Sequence, residues 1–369
     1  MSPSAPTPVP VRTTFADVLD PISGERRSVS LGGGRALDPQ APAGPNDRVV
    51  DGSGFWLLPA VYDADAHLPL LEVGLREVDV YVARHGGVSH QNVALQWQAL
   101  RHLDLPGIVA ELRQTVLPAI TPLLSVNIDD TDDFAAWFDK HLPEVRDLLP
   151  PVCKLYTADP HFERHLDLVW SAGLRAVVYC YTEPDFDWLV THAEGPLHVR
   201  HATSAGFVDR VLANAGATVQ TSPHLLHPLA PGRREDLVVL PTPPDDAERT
   251  ALADVFLDRV TMLATDHNAL PVSGPTGPGL QAQQHLLPLL LSLCDVYGWT
   301  PAQLWPKVTT APTEVFGTVH PQGWVVVDPA HREQVSPWPM QAADRAAFVG
   351  LTLPGRVLAI GSGDHAELV

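Results

Sequence analysis

Residues 57–68 read Leu-Leu-Pro-Ala-Val-Tyr-Asp-Ala-Asp-Ala-His-Leu, an apolar run that ends abruptly in polar side chains at alternating positions. Alternate residues of a strand point to one face, so Asp63, Asp65 and His67 are expected to converge at a strand's C-terminal end. A carboxylate and an imidazole two residues apart can chelate one divalent cation. The same pattern also describes an ordinary strand running into a polar turn, so the surrounding chain has to decide.

Downstream, apolar β-like runs recur at Ala119–Val126, Val152–Tyr156, Leu174–Tyr181, Leu197–Val199, Thr218–Thr221 and Val260–Thr265. Helical patterns lie between them, among them Asp132–Leu149, His161–Ala172, Ala205–Asn214 and Asp245–Leu257. Period 2 giving way to 3.6 and back implies βα units and a parallel sheet. A span of roughly 250 residues is the usual size of a closed (β/α)8 barrel. An open doubly wound sheet would want a glycine-rich phosphate turn after an early strand, and no GxGxxG follows one. The predicted organisation is an α/β chain: a flexible tail over 1–10, a (β/α)8 barrel over 57–318, and a small β-domain built from 11–56 and 319–369.

The whole sequence fits that plan. Its 369 residues can bury a large core, and 45% hydrophobic with 18% charged residues describes a globular chain. A formal charge of −19 with no basic block argues against nucleic acid or an anionic membrane as partner. No apolar run approaches the about 18 residues of a membrane span, and the N-terminus lacks a signal-peptide pattern. Cys153, Cys180 and Cys294 are odd in number and widely spaced, which fits a reducing cytoplasm.

In a barrel, function gathers where strands end. The polar residues closing the apolar runs are Asp65 and His67, Lys154 in PVCKLYT, Tyr181 and Glu183 after GLRAVVYC, His201 in PLHVRHATS, and Asp266-His267 after VTMLAT. Singly, each has a plain explanation as a snorkelling lysine or a satisfied polar side chain. Two acids, two imidazoles and a lysine at successive strand ends form a ligand set. By strand alternation Cys153 and Cys180 face away from it, as does His267 by default. His85, His90, His102 and His141 sit in polar contexts and are expected to be solvated, while His224 and His227 near Pro223 read either as supports behind the ligands or as loop packing. The acidic run Asp129–Asp133 reads as a solvated helix start.

The run at 57–68 resembles the first-strand signature of the amidohydrolase superfamily, and CKLYT resembles the strand whose lysine is carbamylated to bridge two metals. PLHVRHATSAGFVDRVLANAGATVQTSPHLL and LATDHNALPVSGPTGPGLQAQQHLLPLLL are similar to the sixth- and eighth-strand blocks of the dihydroorotases and related cyclic amidohydrolases. VTTAPTEVFG and AADRAAFVGLTLPGRVLAI also have counterparts, so the resemblance runs in order from about residue 12.

The resemblance implies a metal site of Asp65, His67, Lys154, His201 and Asp266, holding one divalent ion, zinc by expectation, with room for a second. Carboxylation of Lys154 is implied with it. Asp266 would shuttle a proton between metal-bound water and a leaving nitrogen. Asn92, Tyr181 and Leu270 fall at substrate-contact positions. The departures are specific: Asp65 replaces the first histidine of His-x-His, Tyr181 replaces a second-metal histidine, and Pro69 and Leu270 replace an arginine and a histidine that grip the substrate. A buried carboxylate wants a bidentate arginine, so dihydroorotate is not the expected substrate.

Two functions follow from this. One is a divergent metal-dependent enzyme opening or closing a small cyclic amide or ureide in the cytoplasm, a dimer by family analogy. The other is a catalytically silent dihydroorotase homologue kept as structural partner of another enzyme, such as an aspartate transcarbamoylase.

Overall fold

Pro59 and Ala60 divide the opening stretch between two sheets, where a single strand was expected. The computed structural model describes residues 12–67, 73–102, 104–126, 132–232, 237, 239–268, 280–318, 322–336 and 347–369. Strands β1 (Thr13–Leu19), β2 (Arg26–Gly32), β3 (Arg35–Leu37), β4 (Arg48–Asp51) and β5 (Trp56–Pro59) belong to the first sheet. The chain then enters the second sheet as β6 (Val61–His67), with Trp305 Nε1 bonding the Pro59 carbonyl at the crossing (2.8 Å).

The second sheet is parallel and holds β6, β7 (Val88–Gln96), β8 (Ala119–Ser125), β9 (Val152–Tyr156), β10 (Arg175–Tyr179), β11 (Leu197–Val199) and β12 (Thr218–Thr221) side by side in chain order. Its edges are β13 (Met262–Leu263), paired with β12, and β14 (His267–Asn268), paired with β6. Both edges come from one seven-residue segment, so the sheet curls round until its ends meet across Ala264–Asp266. This is the TIM-like curl expected from the sequence. The predicted strand at Val260–Thr265 shortens to two residues, and Leu174–Tyr181 ends at Tyr179.

The predicted helices lie where expected, at Phe134–Leu148, Phe162–Ser171, Ala205–Leu212 and Asp246–Arg259. Side chains at their starts explain three helix boundaries. Ser204 accepts from the Phe207 amide, Asp245 from those of Ala247 and Glu248, and Thr182, at the start of a further helix over Glu183–His192, from that of Asp185. The helices bury their apolar faces on the outward residues of the parallel strands, including Leu124, Cys153, Val178 and Val199. Cys153 therefore points away from Lys154, as the alternation predicts. Inside the curl, Ala64, Leu123, Val152, Val177, Met262 and Phe316 pack as a separate apolar layer.

The C-terminal strands β15 (Gly323–Gln334), β16 (Thr352–Ser362) and β17 (His365–Leu368) return to the first sheet. Its order is β2-β3-β17-β16-β15-β5-β1-β4, and β2 also pairs with β1, closing a mixed barrel from both ends of the chain. No helix among the described residues is long and apolar enough to cross a membrane.

Candidate active site

The register of β6 against β7 shifts between Asp63 and Ala66. A bulge of this kind re-aims side chains, and it separates two carboxylates expected to share a face. Ala64 packs with the interior layer and Asp65 joins a cluster with Lys154 of β9 and Arg200 just past β11. Asp63 turns instead to neutral donors: the Thr265 amide (3.0 Å) and hydroxyl (2.5 Å), and Gln283 Nε2 (2.8 Å). Burial pushes the Asp63 carboxyl up despite those bonds.

Asp65 is the centre of the cluster. Lys154 Nζ meets Oδ1 at 2.6 Å, while Arg200 Nε (2.6 Å) and Gln220 Nε2 (2.7 Å) meet Oδ2. Burial raises its carboxyl, but Arg200 and Lys154 outweigh burial and hold it well below the ordinary carboxylate range. Arg200 then reaches on to Asp266, Nη2 to Oδ1 at 2.9 Å, so one guanidinium ties the two carboxylates together. The Tyr156 and Tyr179 rings lie 5.8 and 6.0 Å from its guanidinium carbon.

His201 and Asp266 both have positive φ, 59° and 54°, a strained state for non-glycine residues. The two kinks stand past the ends of β11 and β13 and bring His201 Nε2 within 3.6 Å of Asp266 Oδ1. His67 Nε2 lies 3.6 Å from the same oxygen and 3.4 Å from Lys154 Nζ. Burial raises the Asp266 carboxyl, but His201, His67 and Arg200 together keep it well below its usual range. Burial and Lys154 lower the His67 imidazole, and burial carries His201 down to about 3 against the pull of Asp266. At neutral pH the two carboxylates are therefore ionised and the two imidazoles neutral, with the Arg200 guanidinium between them.

Access is uneven. The side chains of Asp65, Lys154, Arg200 and His201 are 2–3% exposed, whereas His67 is 22% and Asp266 13% exposed. Beside Asp266, His224 lines a cavity of about 650 Å³ shared with His227, Pro231, Pro243, Asp245 and Arg249. Burial lowers His224 to about 4, and neither of its ring nitrogens has a partner among the described residues.

The five residues expected as metal ligands thus come together. Asp65, His201 and Asp266 each offer a ligand atom within 4.8 Å of the others, a buried group of the kind that can hold an ion. The chemistry of the donors tells against occupancy. Both oxygens of Asp65 already face cations, and the guanidinium of Arg200 spans the pair of carboxylates that an ion would have to bridge. Like unit charges about 4 Å apart repel by roughly 4 kcal/mol at an effective dielectric of 20, and a divalent ion doubles this. As arranged, with the Lys154 amine against one oxygen of Asp65 and Arg200 across both carboxylates, the residues do not fit a divalent cation.

The substrate-contact expectations fare differently. Asn92 is buried on β7, where its Oδ1 accepts the Tyr62 hydroxyl (2.6 Å). Tyr181 lies beyond the end of β10 and is 38% exposed; Tyr179 is the residue whose ring faces His201, at 5.2 Å between centroids. Pro69 and Leu270 lie outside the described residues. Glu183 opens a helix and is exposed. His90, expected in solvent, is buried, its Nδ1 3.1 Å from the Ser89 hydroxyl. His267 is buried too, and its Nδ1 accepts from the Ala282 amide (3.2 Å).

Sequence reasoning missed Arg200, Gln220, Thr265 and Gln283. For Arg200 a signal existed: it directly follows an apolar strand, where the chain enters the open end of a barrel, and a cation there demands a carboxylate. His198 closes the chain of contacts, its Nε2 3.0 Å from Gln220 Oε1, and burial lowers it to about 4.

No protein-family model matches the chain, and no curated protein does. Solved structures do. The D-hydantoinase (dihydropyrimidinase) of Thermus sp. superposes with a TM-score of 0.67 at 16% identity, covering 95% of this chain and 94% of that one. The L-hydantoinase (dihydropyrimidinase) of Arthrobacter aurescens gives 0.67 at 13% identity over 97% of both chains. The inactive dihydroorotase-like domain of the Chaetomium thermophilum CAD-like multifunctional protein gives 0.59 at 14%, covering 85% of this chain and 94% of that domain. The chain has the fold of the cyclic amidohydrolases, hydantoinases and dihydroorotase-like domains alike, at identities that carry the architecture alone.

Proposed function

We propose that this chain acts on the C–N bond of a small cyclic amide or ureide at the open end of the parallel barrel, with His67 and Asp266 as its proton-transfer pair. The observation that carries the reading is selective access. Of the charged and imidazole groups in the cluster, these two alone have appreciable exposure, and they lie 3.6 Å apart. His67 is neutral at neutral pH and takes a proton from water attacking the ring carbonyl. Asp266, held ionised, orients the imidazole and stabilises it once protonated. His67 then returns the proton to the leaving nitrogen, or the same steps run backwards to close a ring. Lys154 and Arg200 are both spent on the carboxylates of the cluster, so neither is left to grip a substrate carboxylate, which favours an uncharged ring.

A second reading has its own support. Every charge in the cluster is already matched from within the chain, and one of the similar folds is a domain described as inactive. A silent homologue that binds a partner enzyme accounts for both facts.

Ring opening of hydantoin and dihydrouracil, followed by ultraviolet absorbance with and without a chelator, separates the readings. Turnover that survives the chelator and falls about 100-fold or more in His67→Asn supports the proton-transfer pair, since general acid–base groups contribute about 10²–10⁴. Its acid limb should lie below the ordinary histidine value of 6.5, because the imidazole is lowered. Turnover abolished by the chelator and restored by zinc would overturn that mechanism. No turnover in either condition would favour the silent homologue.

A further inference from the structure

We infer that Arg200 is a built-in replacement for a metal ion, and that its removal uncovers a divalent-cation site formed by Asp65, His201 and Asp266. The inference rests on placement rather than on any reading of the substrate. Three ligand-type atoms lie within 4.8 Å of one another, the spacing of a coordination shell, and all three residues are buried. A shell of two carboxylates and an imidazole carries two negative charges and needs two positive ones. Arg200 supplies one of them from between the carboxylates, through Nε to Asp65 (2.6 Å) and Nη2 to Asp266 (2.9 Å). Lys154 supplies the other from the far oxygen of Asp65 (2.6 Å). The guanidinium is planar, always charged and directional, so it satisfies both acids at fixed geometry as an ion would.

Unlike an ion, it offers no open position. Its Nε and Nη2 donors are spent on the two carboxylates, and its side chain is 2% exposed. Asp65 in particular cannot turn to a third cation, because Gln220 Nε2 (2.7 Å) already shares the oxygen that Arg200 holds. The cluster is closed to metal by the chain itself.

Cobalt(II) tests this, read by visible absorption and by equilibrium dialysis of the full-length protein. Wild type and Arg200→Lys should retain less than about 0.1 equivalent, since both keep a cation against the carboxylates. Arg200→Ser should bind about one equivalent at least a hundredfold more tightly than wild type, given the like charge removed from contact distance. The bands should shift in Arg200→Ser/His201→Gln if the imidazole is a ligand. Losing the arginine strands two buried carboxylates, so cobalt should also raise the melting temperature of Arg200→Ser and leave that of wild type unchanged. If Arg200→Ser does not fold even with cobalt, Arg200→Gln fills the space without the charge and should bind the ion. A wild-type protein that binds one equivalent as tightly as the variants overturns the inference, and so does a folded Arg200→Ser or Arg200→Gln that binds none. Loss of hydantoin turnover alone would bear on the proton-transfer pair and leave this result standing.

Discussion

Asp63 and Asp65 are the same residue on the same strand, two positions apart, and both are buried. One is held by an amide, a hydroxyl and a carboxamide, the other by an ammonium, a guanidinium and a carboxamide. The first is pushed towards its neutral form and the second is locked as an anion. What separates them is the register shift between Asp63 and Ala66, which gives each carboxylate its own neighbours. Residue type therefore decides little here, and the pleat on which it stands decides its chemistry.

Replacing each in turn should break the symmetry most visibly. Asp65→Ala leaves Lys154 and Arg200 buried without their counter-ion, and such losses cost about 3–5 kcal/mol. Chemical denaturation should register it as the most destabilising change in the cluster. Asp63→Ala strands only neutral donors, for which about 1–3 kcal/mol is expected. Equal losses at the two sites would mean that the cations around Asp65 do not distinguish it.

Acid sharpens the contrast. His201 lies at about 3 and His198 and His224 at about 4, all below the 6.5 of an unfolded histidine. The unfolded chain takes up protons first, so this stability is complete above pH 6.5 and drains as pH falls towards 4 and 3. Asp65 adds to the loss only below its unfolded value of 3.8, whereas Asp63, whose folded value is raised, works the other way. Melting temperature should fall from pH 7 to pH 4, and His224→Asn should flatten the slope without touching the ion pairs. The smallest effect should come from Tyr62→Phe, about 1 kcal/mol for a hydroxyl shared between Asn92 (2.6 Å) and Thr318 (2.8 Å).

Much of this was readable from the chain. The parallel strands lie where the apolar period changes, because burial on both faces leaves little freedom in composition. Lys154, His67, His201 and Asp266 do gather, as polar residues at strand ends must when the ends surround one axis. The bulge at Asp63–Ala66 was not readable, since it depends on which residue of β7 each residue of β6 meets. Arg200 is not legible as a bridge from its own neighbourhood, because its two partners lie far off in the chain. Its role appears only once Asp65 and Asp266, 201 positions apart, are seen to need a common cation. Tyr179 also went unnamed, because it stands two residues before Tyr181 on the same apolar run and only the fold turns its ring towards His201.

The order of strands in the terminal sheet has a bearing on how the chain is assembled in time. The C-terminal strands β15 to β17 stand in the middle of that sheet, with segments made near the start of the chain on either side. Val325 pairs with Leu58, three residues before the strand that carries Asp63 and Asp65. Until residues 323–368 arrive, β5 has no neighbour along that edge, and contacts so distant in sequence form slowly. The interval leaves the first barrel strand tethered to an unfinished flank, so an early stop in synthesis would be felt at the charge cluster, on the opposite side of Pro59 from the missing piece.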